Sequence, residues 1–390
     1  MTLPIKDKTA IAGLGWSTFS RNSGTTVMNL AAEASLKAIE DAGLRVKDID
    51  GVVTYLWRPD TPGPREFVEA MGMEVCNYEL MSQLGGGWAC SAIMSAAMAV
   101  YSGVCKNVLV FRAMNGRSER RPTRQAAGES GGPSQFTAPY GVMHAAAGFG
   151  HHATAHMARF GTTTLDFAHL AVTQRKHASL NKKAVMREPM TIEEHQSSRW
   201  VVYPFRLLDC CLDTDGAVAL VVTSAERARD MRQAPVYITS MMGGAGPFPN
   251  LWTTYGSVAA PQLYAGGDIT PADVDVAELY DPFTFMCMAH MEDFGLVAKG
   301  EVGAWVTAGH NALDGQVPVN THGGLLSEAY VQGLNHVVEA VQQLRPGGVV
   351  DDLCEGPHTY DRAVCRQVRD PRIALCCGEG GESSLLLRSA

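Results

Sequence analysis

The most constraining feature of this 390-residue sequence is an order of elements that occurs twice. Apolar runs and glycine turns predict, in the first half, strand Thr9–Gly13, helix Val27–Ala42, a Gly85-Gly86-Gly87 turn with a helix, and strand Asn107–Phe111. The second half repeats the order with strand Val236–Ser240, a link and strand over Asp273–Tyr280, a His322-Gly323-Gly324 turn with a helix to about Leu344, and strand Ile373–Cys376. The repetition predicts an α/β fold of two fused halves, residues 1–235 and 236–390.

Short connections between alternating strands and helices predict mostly parallel sheets with helices on both sides. Two halves related by a pseudo-twofold axis would stack helices between two sheets, so the glycine-rich helix starts would meet near the middle. A site built from both halves is therefore expected there. A region at about residues 115–205 has no counterpart in the second half and is interpreted as an insertion.

The stretch at residues 320–342 combines a polar loop with a segment of helical apolar spacing, Leu334, Val337, Val338 and Val341. The pattern predicts a turn that leads into a buried helix. Glycines at 323 and 324 would let the backbone approach a ligand, and a helix start offers free N–H groups to a developing oxyanion. A packing turn, with Tyr330 as a core residue, is the alternative.

The charge balance and the apolar runs exclude several classes of partner. A net charge of −8 argues against a nucleic-acid surface. The N-terminus lacks the apolar core of a signal peptide, and the longest apolar run, at Ser91–Val104, is too short to cross a bilayer, so a cytoplasmic protein without a membrane segment is expected. A local group of arginines is interpreted as a solvated loop face or, alternatively, as a receiver of a phosphorylated cofactor or an acidic partner: Arg112, Arg117, Arg120, Arg121 and Arg124.

Cysteine and histidine spacing does not predict a metal site. The ten cysteines show no Cys-x-x-Cys pair and are interpreted as buried thiols in a reducing compartment. His151, His152 and His156 lack an acidic third ligand at a recognisable spacing. The expectation is therefore that this chain holds no metal.

Three segments together resemble the thiolase-like group that contains the sterol carrier protein thiolases and bacterial lipid-transfer proteins: residues 159–164, 170–181 and 209–219. The resemblance covers nearly the whole chain. It implies the duplicated, five-layered α/β/α/β/α thiolase fold, in agreement with the repeat.

The sequence departs from the thiolase pattern at the reacting groups. The position of the nucleophilic cysteine falls on Gly86, and Cys90 lies one helical turn later. Tyrosines replace the motif histidine and asparagine, at Tyr330 and Tyr280, while the last cysteine motif survives in part at Cys376. Without the nucleophile the covalent acyl-enzyme step of thiolysis is lost.

This pattern resembles thiolase-like aldolases that end steroid side-chain degradation. The resemblance implies retro-aldol cleavage of a β-hydroxyacyl-CoA, a 17-hydroxy steroid thioester, into a 17-ketosteroid and propionyl-CoA. The expected proton-transfer pair is Tyr280 and Tyr330, with base and acid left unassigned. Supporting residues are expected at His322, Asp281, Glu379 and Cys376, and backbone groups for substrate or oxyanion at Gly86, Gly323, Gly324 and Gly378.

The resemblance also bears on cofactors and partners. It implies no cofactor in this chain and CoA as part of the substrate. It implies a homodimer core with a small partner domain of a hydratase that has a zinc ribbon and an OB fold, the zinc belonging to that partner. Two rivals stay open: an acyltransferase that uses Cys90 or Cys376, and a non-catalytic carrier of sterol or acyl-CoA.

Overall fold

The computed structural model describes residues 2–57, 59–119, 135–244, 246–346 and 360–390. Its strands are β1 (Thr9–Trp16), β2 (Gly51–Tyr55), β3 (Tyr78–Ser82), β4 (Asn107–Asn115), β5 (Trp200–Val202), β6 (Phe205–Arg206), β7 (Asp215–Ser224), β8 (Val236–Gly243), β9 (Val276–Leu279), β10 (Ile373–Cys377) and β11 (Ser383–Arg388).

The α-helices are α1 (Val27–Asp41), α2 (Pro64–Ala70), α3 (Ala89–Tyr101), α4 (Ala145–Phe160), α5 (Thr164–Ser179), α6 (Ile192–Ser197), α7 (Ala225–Ala228), α8 (Gly256–Gly267), α9 (Thr284–Asp293), α10 (Val302–Thr307), α11 (Gly324–Ser327) and α12 (Leu334–Leu344). Two short 3-10 turns bear on the site, Gly85–Trp88 and Glu379–Gly381. Among the helices in the described ranges, none is long and apolar enough to span a membrane.

Nine strands form one sheet in which the two halves of the chain mirror each other. The order is β3-β2-β4-β7-β1-β8-β11-β10-β9. Only Ala10 with Tyr237 and Ile11 with Val236 pair across the junction of β1 and β8, so the sheet is two half-sheets joined at one end. The expected division between residues 235 and 236 falls at the start of β8.

The strand pairings are mixed. Parallel pairing occurs away from the junction, between β2 and both β3 and β4, and between β9 and β10. The strands nearer the junction are antiparallel to their neighbours. Strands β4 and β7 are antiparallel because the inserted region leaves the sheet after Asn115 and returns before Asp215 at the same end of the sheet. Strands β10 and β11 are antiparallel because they form a hairpin.

The helices and half-sheets form the five predicted layers, which confirms the α/β/α/β/α expectation. Helix α1 covers the outer face of β1, β4 and β7, and α8 covers β8 and β11. Helices α3 and α12 lie between the half-sheets and contact strands of both. Because α3 is rich in small apolar residues, it can be buried on nearly every side.

The helix expected to run from the second glycine turn to Leu344 is interrupted. Helix α11 ends at Ser327, and α12 begins only at Leu334. Gln332 and Gly333 have positive φ values of 50° and 87°, which an α-helix cannot contain. Tyr330 therefore lies in an irregular link and not within a helix.

The inserted region packs mainly on the second half of the molecule. Helix α5 contacts α9, α10 and α11, while α4 contacts α9 and β5. The insertion therefore covers the outer layer beside β9, next to the loop that carries Tyr280.

Candidate active site

The two predicted tyrosines meet. Tyr280 directly follows β9, and Tyr330 lies between α11 and α12. Their hydroxyl oxygens are 3.1 Å apart, which is a hydrogen bond in which either group can donate. Thr214 fixes the backbone beside Tyr330, because its Oγ1 accepts the Tyr330 N–H at 2.8 Å.

The hydroxyl of Tyr280 fills the space above Gly86. A Cβ atom at Gly86 would lie 2.0 Å from Tyr280 Oη, and one at Gly333 would lie 2.6 Å from the tyrosine ring. The phenol is therefore held between two glycines. It occupies the volume that a cysteine side chain at residue 86 would need, so the thiolase nucleophile and this tyrosine exclude each other.

Burial sets the protonation state of the tyrosine pair. Tyr280 is fully buried and Tyr330 is half-buried. Burial raises the pKa of both phenols well above the usual value, and the nearby Glu379 raises both further. Both groups are therefore neutral at neutral pH. A neutral, hydrogen-bonded pair can accept a proton at one oxygen while releasing one from the other.

Arg112 contacts the link that carries Tyr330 through Gln332. It is not the solvated loop residue that the sequence analysis expected. It lies in β4 and is fully buried. Its Nε donates to Gln332 Oε1 at 2.8 Å, and its Nη2 pairs with Asp60 at 2.8 Å. The interpretation was wrong because β4 continues through residue 115. Arg120, Arg121 and Arg124 lie outside the described residues.

Glu379 lies beside the tyrosines in the Glu379–Gly381 turn and is half-buried. Burial, with the neighbouring carboxylate of Glu382, raises the pKa of Glu379 to about 7. Burial also raises the pKa of Glu382, whose Oε2 lies 2.3 Å from where a Cβ of Gly87 would stand. The Glu382 carboxyl thus lies against the first glycine turn.

Of the four backbone positions expected to bind substrate or oxyanion, Gly378 has its N–H already paired. Its N–H donates to Ser383 O at 2.8 Å, so the donor is already used. Its α-carbon instead packs on the first turn, because a Cβ there would lie 2.7 Å from Gly86 O. The N–H of Gly86 donates to no described residue outside its own turn and stays a candidate donor.

Gly323 and Gly324 were also predicted as ligand-binding backbone, and the structure places both in packing contacts. Gly323 donates its N–H to Asn320 O, and its α-carbon faces Ala178 of α5. Gly324 makes room for Asp281, whose Oδ2 lies 2.0 Å from a Cβ built there. The glycines serve packing because they face a helix and a carboxylate instead of the tyrosine pair.

Asp281 and His322 belong to a buried ionic network behind Tyr280. Asp281 Oδ1 accepts the Leu325 N–H at 2.9 Å and lies 3.1 Å from His336 Nε2. His322 Nδ1 is 2.9 Å from Glu278 Oε2, and its Nε2 is 3.6 Å from Glu328. These side chains are fully buried, so their charges must compensate one another.

The pKa values of Glu278, Glu328 and His336 are set by burial and by the charged groups next to them. Burial alone disfavours the imidazolium of His336, but Asp281 and Glu278 outweigh burial and raise its pKa to about 9. Burial likewise opposes charge on Glu278 and Glu328, yet His322 and Lys183 lower the pKa of the two carboxyls. Glu278, Glu328 and His336 are thus charged, whereas the tyrosine pair is neutral.

One group in the network has the composition of a metal site. Glu278, His322 and His336 bring one ligand atom each to within 4.8 Å of one another. The second nitrogen of each imidazole faces another carboxylate, Glu328 or Asp281. Contacts between imidazoles and carboxylates therefore account for the arrangement. Of the earlier histidines, His156 lies 3.0 Å from Glu292, in a separate contact.

Cys376 and Cys90 lie in the central core layer. They are 0% and 1% exposed, respectively. Burial raises the pKa of Cys90 to about 12 and that of Cys376 well above its usual value. The raised pKa disfavours the thiolate that nucleophilic attack requires, and Cys376 packs in the core.

Sequence reasoning missed His336, Glu278 and Gln332. Each is a polar residue in a strongly apolar segment, and His336 is flanked in α12 by Leu334, Val337 and Val338. A polar side chain at such a position needs a buried partner, which was the available signal. A polar residue in an apolar segment does not show which residue its buried partner is.

A family model described as "Thiolase C-terminal domain-like" matches residues 247–385. The chain is 41% identical over 358 residues to the 17-hydroxy-3-oxo-4-pregnene-20-carboxyl-CoA lyase of Mycobacterium tuberculosis, covering 87% of this chain and 92% of that protein. It is 39% identical over 367 residues to the steroid side-chain-cleaving aldolase of Thermomonospora curvata, covering 88% and 93%.

Two solved structures have the same fold. The Ltp2-ChsH2(DUF35) aldolase superposes with a TM-score of 0.89 at 36% identity, covering 99% of this chain and 98% of that one. A monomeric SCP2-thiolase-like protein of Mycobacterium smegmatis gives 0.73 at 19% identity, covering 100% and 78%, and supports the fold alone. The chain therefore belongs to the thiolase-like family, in the group that contains the steroid-CoA lyase and side-chain-cleaving aldolase.

Proposed function

We propose that this chain is a carbon–carbon lyase that cleaves a β-hydroxyacyl-CoA thioester by a retro-aldol reaction. The substrate is a 17-hydroxy steroid thioester, and the products are a 17-ketosteroid and propionyl-CoA. The observation that carries the proposal is the hydrogen-bonded pair of Tyr280 and Tyr330 at the position of the missing nucleophile. The names of the two relatives support the substrate class.

The reaction requires one proton to move from oxygen to carbon. The tertiary hydroxyl loses its proton, its oxygen forms the ketone, and the bond to the α-carbon breaks. The electron pair of that bond enters the thioester as an enolate, whose α-carbon then takes up a proton. The tyrosine pair supplies both transfers, and the free N–H of Gly86 stabilises the enolate oxygen.

Exposure distinguishes the two phenols. Tyr330 is half-buried, whereas Tyr280 is fully buried. We therefore assign Tyr330 to contact with the substrate and Tyr280 to the relay. CoA enters as part of the substrate, and no further cofactor is part of the proposed reaction.

The structural relative is named as an assembly with a DUF35 partner. We propose the corresponding assembly here, a homodimer core with a small partner that has a zinc ribbon and an OB fold. The zinc belongs to that partner. The proposed location is the cytoplasm, in keeping with a reducing compartment for buried thiols such as Cys90, Cys287 and Cys376.

The test replaces Tyr280 and Tyr330 by phenylalanine in the chain co-purified with its zinc-ribbon partner. We expect release of ketosteroid and propionyl-CoA to fall by about 100-fold or more in each variant, because general acid–base catalysis contributes about 100- to 10,000-fold. Tyr264→Phe is the matched control, since its buried hydroxyl bonds to Phe294 O, outside the pair. Retained turnover in both site variants contradicts the proposal.

The same preparation separates the rivals. An acyltransferase would show a covalent acyl adduct on Cys90 or Cys376 by mass spectrometry after incubation with acyl-CoA. A carrier would bind the ligand equally well with phenylalanine at residues 280 and 330 and would release no product. We expect no adduct, together with turnover that depends on both phenols.

A further inference from the structure

We propose that Arg112 is a positioning residue for the reaction: acting through Gln332, it holds the link that carries Tyr330 in the conformation that brings the two phenols together. The inference rests on the proposed function, because the tyrosine pair is the part of the site that it concerns. Arg112 belongs to the first half of the chain and the link belongs to the second half. Their contact therefore joins the two halves at the site.

The link between α11 and α12 needs support from outside itself. It spans residues 328–333, and its backbone has positive φ values of 50° at Gln332 and 87° at Gly333. A glutamine at positive φ is strained, because its Cβ crowds a backbone carbonyl oxygen, whereas a glycine is not strained there. Contacts of Gln332 with other parts of the molecule must therefore hold this conformation, two residues after Tyr330.

Those contacts come from neighbouring strands of the first half-sheet. Arg112 in β4 donates its Nε–H to Gln332 Oε1 at 2.8 Å, and the hydroxyl of Tyr55, the last residue of β2, donates to Gln332 O at 2.8 Å. Thr214, just before β7, accepts the Tyr330 N–H at 2.8 Å and donates its hydroxyl to Tyr330 O at 3.3 Å. Since β2, β4 and β7 are adjacent in the sheet, one region of the first half holds the link at both residues.

The guanidinium of Arg112 is itself held in a fixed direction. Its Nη2 pairs with Asp60 at 2.8 Å, its Nη1 donates to Ala113 O, and its carbon lies 5.8 Å from the centre of the Tyr55 ring. A buried ion pair adds little stability over apolar residues of similar volume, because desolvation offsets the attraction. The planar fork instead supplies direction: with Nη2 held by Asp60, the Nε–H points at Gln332.

The first experiment measures kcat and KM of Arg112→Lys for the 17-hydroxy steroid thioester, in the complex with the zinc-ribbon partner. Lysine keeps the charge but has one ammonium group in place of the fork, so it cannot hold Asp60 and Gln332 in the same directions. We expect kcat to fall by about 100-fold with KM unchanged, because a misplaced proton-transfer group slows the chemical step.

Arg345→Lys is the matched control. Arg345 also pairs with a carboxylate, Asp41 at 2.7 Å, and donates to a backbone oxygen, Ala12 O at 3.0 Å, but it lies at the opposite end of α12 from the link. Arg345→Lys is therefore expected to keep the wild-type kcat. An equal loss of kcat in both lysine variants would overturn the inference, because any buried arginine would then matter as much.

Two substitutions of Gln332 test the same contact and leave the ion pair of Arg112 in place. Methionine keeps the length of the side chain but offers no oxygen to the Arg112 Nε–H, whereas glutamate offers one. We expect kcat to fall by about 100-fold in Gln332→Met and to recover in part in Gln332→Glu, with KM unchanged in both. Wild-type kcat in either Arg112→Lys or Gln332→Met would overturn the inference, as would equal losses in the two Gln332 variants. Circular dichroism identifies the folded variants, and the Gln332 pair decides if Arg112→Lys does not fold.

The separation of the two phenols gives a readout apart from activity. Their hydroxyl oxygens are 3.1 Å apart, and in a crystal structure of Gln332→Met we expect this distance to exceed about 3.5 Å, the limit of a hydrogen bond. An unchanged distance would overturn the role of Arg112 and leave the proposed function standing. If Tyr280→Phe and Tyr330→Phe stay active, the proposed function fails, whereas the distance still tests whether Arg112 positions Tyr330.

Discussion

The two glycine-rich turns of the molecule accept neighbouring side chains from one loop. At Gly86 the space of the missing Cβ is filled by the Tyr280 hydroxyl, and at Gly324 it is filled by the Asp281 carboxylate. The first side chain is a neutral phenol that hydrogen-bonds to half-buried Tyr330. The second is a carboxylate in a fully buried network with His336.

The difference shows how one loop can serve two purposes. Adjacent residues of an extended chain point to opposite sides, so Tyr280 and Asp281 enter different surroundings. Asp281 is fixed by a charge partner and by the backbone of α11. The network therefore holds the loop in place, and the phenol beside it is held where the reaction needs it.

Gly324→Ala should have the largest effect on stability and tests the contact between Asp281 and the second glycine turn. Alanine at φ 64° is strained, and its Cβ would overlap the Asp281 carboxylate. We expect a loss of about 4 kcal/mol in the free energy of unfolding, measured with urea. Gly309→Ala is the control, since Gly309 has φ 79° with open space around it. Equal losses in both variants would show that the contact with Asp281 is unimportant.

Gly86→Ala tests the first turn. The added methyl group would overlap Tyr280 Oη, and the ring cannot retreat because Gly333 lies against it. We expect kcat/KM to fall by about 100-fold, equivalent to about 2.7 kcal/mol, with the fold retained. Gly148→Ala, whose nearest neighbour would be at 4.0 Å, should leave the rate unchanged. A Gly86→Ala enzyme with the wild-type rate would mean that the placement of Tyr280 is not critical.

His336→Gln should have the smallest of these effects, seen in the pH dependence of stability. The pKa of His336 is about 9 in the folded chain and 6.5 as the reference for the unfolded chain. Its charge therefore stabilises the fold fully below about pH 6.5, and this contribution is lost as pH rises to about 9. We expect the wild type to lose about 2 kcal/mol more than the variant across this window.

The measurement is urea unfolding at several pH values. His310→Gln replaces an exposed histidine and should follow the wild-type curve. A wild-type stability that stays level above pH 6.5 would contradict a charged His336.

The fold was accessible from the sequence because its signals are local and repeated. The apolar strand β8 and the buried helix α3 were predicted from residue pattern, and both occur. Mostly parallel pairing was predicted, but the strands near the junction are antiparallel, since the direction of β7 depends on where the insertion returns. Helix α12 was placed correctly at its end, but the break at Gln332 and Gly333 was missed.

The site was predicted in part for a related reason. Tyr280 and Tyr330 were identified because they replace motif residues of a related family. The packing contacts of Gly323, Gly324 and Gly378 were not predicted, because a glycine signals that space is needed without showing what occupies the space. Cys376 was misassigned because a strand residue faces either the core or the site according to register.

The sequence by itself determined the duplicated order of strands and helices, and its resemblance to thiolases predicted Gly86 at the nucleophile position and tyrosines at two motif positions. These are properties of single positions and short periods, which a linear chain displays directly. The tertiary structure alone decided which side chain enters each glycine turn, that the two phenols share a hydrogen bond, and that Glu379 has a pKa near 7. Those properties depend on distance and burial between residues far apart in the chain, and folding is what brings them together.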